Sequence, residues 1–168
     1  MNDPLIIGGV IALLILVGLA SAVLNNRSHT EQSSTYPYQR RDYLLSKAER
    51  SFYEVLYRAV GPDFHVFPKV RLADVVQVKR GTEKWQSHFN RINSKHVDFL
   101  LCSTDTLTPT LVIELDDSSH SSATAEAADA FRNNVFNAAG LPILRVPARS
   151  TYNSRDLADQ VYASLSHV

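Results

Sequence analysis

Hydrophobic positions divide the chain into three regimes. Leu5 to Leu24 (LIIGGVIALLILVGLASAVL) is almost continuously apolar and carries no charge over twenty residues. As a helix it reaches about 30 Å, the thickness of a bilayer core. Asn25 to Asp42 is rich in Ser, Thr, Asn, Gln and Arg. It lacks the apolar surface to fold and reads as a flexible tether. From Leu44 onward apolar residues return with regular spacing, which predicts an anchor over residues 1–25, a tether over 26–43 and a folded domain over 44–168.

Within that domain the period switches between helix and strand. Ser46-Lys47-Ala48-Glu49 is a capping box that opens a helix, with Phe52, Leu56 and Ala59–Val60 as its buried stripe and Gly61-Pro62 as its stop. His65 to Val70 (HVFPKV) predicts a first strand, which Pro68 confines to a sheet edge or ends. Arg71 to Val78 is short and apolar and fits either strand or helix. His96 to Ser103 and Thr110 to Asp116 alternate as strands, and TDTLTP between them is turn chemistry, so the two form a hairpin. In the first of them Asp98, Leu100 and Cys102 share one face; Val97, Phe99 and Leu101 share the other. A helix follows from about Thr124 to Ala139, with Ala128, Phe131 and Val135 inward and Gly140 just past its end. Pro142 to Val146 is a short strand, and Ser154 to Ser166 a last amphipathic helix. The order predicts an α/β domain with a four-stranded mixed sheet flanked by helices, preceded by one transmembrane helix.

Composition adds three things. The 17 basic and 17 acidic residues cancel, but unevenly. Lys69 to Lys95 holds seven Lys or Arg against two acids, whereas Val97 onward holds four against nine. A basic stretch beside an acidic one suits a metal-dependent protein that handles a polyanion, and also many ordinary surfaces. Cys102, the only cysteine, lies in an apolar run, so a disulfide framework within the chain is excluded and a buried structural thiol is expected. The start, MNDP, has no basic residue, and the apolar run exceeds a signal peptide's core, so a retained anchor is expected. Ala20-Ser21-Ala22 offers an A-x-A cleavage pattern as the other reading. Arg27, Arg40 and Arg41 follow the span, which places the N-terminus outside and the domain on the cytoplasmic side of the inner membrane.

The candidate chemistry centres on Leu111 to His120, LVIELDDSSH. Glu114 and Asp116 share a face at the end of an apolar strand, and Asp117 follows at once. Asp98 is an isolated carboxylate in the neighbouring strand, costly unless paired or metal-bound. Carboxylates gathered in this way call for a hard cation such as magnesium, calcium or manganese. Glu49 sits at the inward edge of its helix; capping alone explains it, and a catalytic or metal-orienting role is the sharper alternative. Asp117 with its serines can simply cap the next helix. His120 lies among four serines, as a surface residue or a proton-transfer group. Arg132 can pair with Asp129, three residues earlier, or hold a phosphate; Arg145, in an apolar strand, needs a partner. Trp85 and Phe89, among Lys and Arg, can stack on bases beside phosphate contacts. Four residues apart, they more simply pack a small helix onto the body.

The order of elements, with Glu49 in the first helix, Asp98 in one strand and Glu114-x-Asp116 ending the next, resembles the PD-(D/E)XK superfamily of restriction-endonuclease-like nucleases. VDFLLC…LVIELDDSSH…FRNNVFNAAGLPILRV is similar to a bacterial family of unknown function close to the very-short-patch-repair-like nucleases. The resemblance covers about Leu44 to Val146. It implies a restriction-endonuclease-like core in which Asp98 and Glu114 bind magnesium or manganese, with the Leu115 carbonyl beside them and DNA as substrate. Asp116 takes the position of that superfamily's lysine, where it can bind metal or act as a base, with His120 supplying proton transfer and Arg132 or Arg145 meeting phosphate. The sequence thus leads to a membrane-anchored, metal-dependent, nuclease-like protein with catalytic candidates Glu49, Asp98, Glu114, Asp116, His120 and Arg132. The alternative is an inactive module of the same fold that binds nucleic acid or protein.

Overall fold

The computed structural model describes residues 13–22, 36–116 and 123–166. The chain divides into a unit over Met1–Asp42 and a compact unit over Tyr43–Val168. In the first, residues 13–22 are helical with exposed side chains. Among the described residues no helix is long and apolar enough to cross a membrane; the rest of the Leu5–Leu24 run, and most of the tether, lie outside them.

The second unit is built on a four-stranded sheet of order β1-β2-β3-β4. The strands are β1 (Phe64–Arg71), β2 (His96–Ser103), β3 (Pro109–Asp116) and β4 (Ile143–Pro147). β1–β2 and β2–β3 are antiparallel, whereas β3–β4 are parallel. This mixed pattern follows from the connections. The tight TDTLTP turn can only return antiparallel, while a parallel neighbour needs a long crossover, which α4 (Ala123–Ala139) supplies. The remaining helices are α1 (Lys47–Val60), α2 (Leu72–Val75), α3 (Trp85–Asn93) and α5 (Ser154–Leu165).

Alternation along the strands sorts the core into two layers. Phe99, Leu101, Leu111 and Ile113 pack with Phe52, Val55, Leu56 and Val60 of α1 and Leu157 and Val161 of α5. Phe52 meets Phe99 and, edge-on at 4.9 Å, Tyr152. On the other face Leu100, Cys102 and Val112 pack with Phe136 of α4, Ile92 of α3 and Leu72 of α2. Val97 departs from its alternation partners Phe99 and Leu101 and packs in this second layer.

Local chemistry sets the element ends. The α1 capping box is complete: the Ser46 hydroxyl accepts from the Glu49 N–H, and Glu49 Oε2 accepts from the Ser46 N–H at 2.8 Å. Asn153 caps α5 by accepting from the N–H groups of Arg155 and Asp156. Gly140 takes φ 67° just past α4. Pro68 sits inside β1, an edge strand. The ambiguous stretch after Arg71 is one helical turn followed by irregular chain. Cys102 is a free, buried thiol whose pKa burial pushes up.

The packing expected of Trp85 and Phe89 is only partly found. Ile92 is the residue of α3 that is buried, while Trp85 is 42 % exposed. The two rings stack on each other instead, centroids 5.0 Å apart and 9° from parallel.

Candidate functional site

The site follows from strand register. Glu114 of β3 is the partner of Arg145 on β4. The last β2–β3 pair is Phe99↔Ile113, so Asp98 and Glu114 are the next residues along the two strands, where the ladder has ended. Between the pairs Pro68↔Phe99 and Val70↔Val97, Lys69 falls opposite Asp98. The contacts sort the four into two sets: Lys69 and Asp98 meet Glu49 of α1, whereas Glu114 meets Arg132, and Arg145 meets Asp129 and Asn133, all on α4.

Each member has a defined partner. β2 and β3 stop pairing just beyond Phe99 and Ile113. There the Leu115 N–H donates to Asp98 Oδ2 at 3.0 Å, so a side chain replaces a rung of the backbone ladder. Asp98 Oδ1 accepts from Lys69 Nζ at 2.9 Å. The same ammonium pairs with Glu49 Oε1, so Glu49 caps α1 with one oxygen and holds Lys69 with the other. Lys69 reaches both from a left-handed backbone, φ 55°, a conformation that costs a non-glycine residue about 1 kcal/mol. Burial pulls the Lys69 pKa down, but hydrogen bonds to Glu49 and Asp98 and their charges more than offset this and raise it. Burial likewise works against ionisation of Glu49, and its bonds to Lys69 and Ser46 outweigh that and lower its pKa.

Glu114 is the one buried charged residue among those described, 4 % exposed. Arg132 of α4 approaches its Oε2 at 3.5 Å and also pairs with Asp129. Oε1 is buried and has no hydrogen-bond partner. Burial pushes the Glu114 pKa up to about 7; Arg132 and Arg145 oppose the rise, and Asp98 and Asp116 add to it. Asp116 is engaged elsewhere, with Arg145 Nη1 donating to its Oδ1 at 2.8 Å while Arg145 Nη2 donates to Asn133 at 3.2 Å. Taken together, Glu49, Asp98, Glu114, Asp116 and Asp129 face Lys69, Arg132 and Arg145. Five carboxylates against three cations leave two negative charges unmatched when all are ionised.

Of the residues singled out in the sequence, Glu49, Asp98, Glu114 and Arg132 lie in this network. Asp116 joins it through Arg145, which also approaches Asp129, the partner of Arg132. His120, Asp117 and the neighbouring serines lie outside the described residues. Among the described residues no three His, Cys, Asp or Glu side chains are grouped closely enough to form a metal cluster by themselves. Sequence reasoning missed Lys69, whose importance depends on a backbone turn and on two distant partners. The signal that could have found it is a lysine directly after an edge-strand proline, beside a strand that carries a half-buried aspartate.

No curated protein and no solved structure is significantly similar to this chain. Residues 41–165, which contain every element of the sheet and its helices, match the model of a family described as "Protein of unknown function (DUF2726)", and the chain belongs to that family.

Proposed function

We propose that this protein is a membrane-anchored, nuclease-like protein with a restriction-endonuclease-like core, acting on DNA phosphodiesters with a divalent cation. The observation that carries the reading is the buried Glu114 carboxylate, with an unpartnered Oε1, close enough to Asp98 to feel its charge. An unmatched buried oxygen costs about 1–3 kcal/mol, and more when charged. A hard dication beside Asp98 and Glu114 would match both that oxygen and the two surplus charges, so the donor set fits magnesium or manganese. Asp98 and Glu114 would hold it, with the Leu115 carbonyl as a further oxygen. When bound, such an ion neutralises phosphate and lowers the pKa of a coordinated water.

The chain's own residues have distinct tasks in this reading. Lys69 supplies the ammonium that the Asp116 position lacks, placed by Glu49 and Asp98 to donate to a phosphate oxygen. Arg132 orients Glu114 and faces the phosphate from α4. Arg145 holds Asp116 out of the way. His120 serves proton transfer. The uncharged run Leu5 to Leu24 is the bilayer anchor, and Arg27, Arg40 and Arg41 keep the domain on the cytoplasmic side of the inner membrane.

The test uses the full chain in detergent, beside Asp98→Ala and Glu114→Ala. Manganese binding is measured by electron paramagnetic resonance, and nicking by relaxation of supercoiled plasmid. The wild type is expected to bind and nick, and each variant to lose at least a hundredfold in nicking. Equal behaviour of all three proteins removes the proposal.

A second reading is a non-catalytic module that grips nucleic acid or a protein partner. The Asp116–Arg145 pair favours it, because that pair ties up the position where a catalytic lysine would stand. It predicts DNA binding that survives Asp98→Ala and Glu114→Ala, with no nicking by any of the three.

A further inference from the structure

α3 and the loop before it carry chemistry that the carboxylate network does not use. From Val76 to Lys95 there are five Lys or Arg residues (Lys79, Arg80, Lys84, Arg91, Lys95) and one acid, Glu83. Arg71 and Lys69, just upstream, are paired with Asp74, Glu49 and Asp98; among the described residues none of those five has an ion-pair partner. Lys79, Arg80, Lys84 and Arg91 are exposed. Among these cations stands the Trp85–Phe89 stack, parallel to within 9° and open to solvent at Trp85. His88 and Ile92 of the same helix border a cleft of about 640 Å³, with Val78, Lys79, Phe131 and Val135 among its other lining residues.

A parallel ring pair open at Trp85, an apolar cleft and cations without ion-pair partners fit a ligand of planar apolar units joined by negative charges. We infer that α3 and residues 77–84 form a binding site for single-stranded nucleic acid. A base extends the Trp85–Phe89 stack, neighbouring bases enter the cleft, and Lys79, Arg80, Lys84 and Arg91 meet the phosphates. Duplex DNA cannot use the stack, because its bases already stack on each other. The site also leads toward the carboxylates. Arg91 lies 4.1 Å over the Phe131 ring, and the next residue of α4, Arg132, reaches Glu114. This deepens the DNA reading above by naming the substrate's form as unpaired strand; it does not require that the strand be cut.

Trp85 is the only tryptophan in the chain, so its fluorescence reports this one position. The full chain in detergent, with chelator present, is titrated with oligo(dT), with the matching duplex, and with anionic lipid vesicles. Oligo(dT) is expected to quench Trp85 saturably, and duplex and vesicles to leave it largely unchanged. Phe89→Ala, which keeps the reporter, is expected to weaken oligo(dT) binding about tenfold, from the loss of one stacking partner. Because Phe89 is half-buried, Lys84→Glu is the second variant: on an exposed position, it should weaken binding and flatten the salt dependence. Each lost phosphate contact is expected to lower the log–log slope by about 0.7. Unchanged Trp85 emission with oligo(dT), equal quenching by duplex, or a response to vesicles alone overturns the inference. Metal-dependent nicking of duplex plasmid alongside a silent Trp85 would overturn this site and leave the carboxylate reading standing.

Discussion

Glu114 is where burial and charge conflict most directly. Its carboxyl titrates near 7 rather than at the usual 4.5, chiefly because it is buried. A raised acid pKa means that the folded state holds its proton more tightly than the unfolded chain. Without metal, stability should therefore be fully favourable below about pH 4.5 and fall as pH rises through 7, by about 3 kcal/mol in all. Urea midpoints measured in chelator across that range should show the loss, and Glu114→Gln should abolish it, being the more stable protein at pH 8. Added manganese should raise the wild-type midpoint at pH 8 and leave Glu114→Gln unmoved. Lys69, whose pKa is also raised, loses its contribution in the same direction but at higher pH, and Glu49 runs the other way. The Lys69 contribution is present below pH 10.5 and is lost as pH rises through its raised pKa; that of Glu49 is present above 4.5 and is lost as pH falls through its lowered one. Lys69→Met strands both carboxylates, and should cost about 1–2 kcal/mol near neutral pH by denaturant midpoint. Residue alternation was enough to single out Asp98 as a charge in an apolar strand that needs a partner, which it has in Lys69. It was silent on Lys69, because a left-handed residue breaks the very period that makes strands readable.

At the scale of elements, the helix ends are the most legible part of the chain. The capping box at Ser46 and the glycine after α4 act through neighbours within a few residues, so their sequence signature and their structure coincide. Gly140→Ala tests the second of these. No atom lies within 4 Å of the Cβ it would add, so the cost comes from the positive φ alone. A loss of about 1 kcal/mol is expected, read as a shift in thermal midpoint with no change in the circular dichroism of the fold. Ser46→Ala should cost about as much. It should also loosen Glu49 from its cap, so that a structural substitution on α1 disturbs Lys69 across the sheet. α3 was harder to read. Trp85 and Phe89 at helical spacing look like a packing stripe, yet the stripe is completed by Ile92 alone. Which aromatic is covered depends on where the preceding irregular chain runs, and no local period encodes that.

For the whole molecule, the mixed sheet was legible because connection lengths dictate strand direction. The two-sided core was legible because each strand alternates. The two sets of ion pairs were not, since each joins strands to a helix distant in sequence. The compact unit begins at Tyr43 and the family match spans residues 41–165. A chain starting at residue 41 should therefore unfold in one transition, with the midpoint of the full protein. If Leu5 to Leu24 is the anchor proposed above, the full chain should pellet with membranes and a chain lacking that run should stay in the supernatant, checked by ultracentrifugation of expressing cells.

The edge position of Pro68 matters for proteins that meet side by side. An open strand with regular amides is a template for a neighbour's strand, and copies held on one surface would meet often. β1 offers a residue with no N–H, followed by one whose backbone turns left-handed, while the opposite edge strand ends at a second proline, Pro147. Crowded copies are thus denied a continuous rail on which to zip into fibrils.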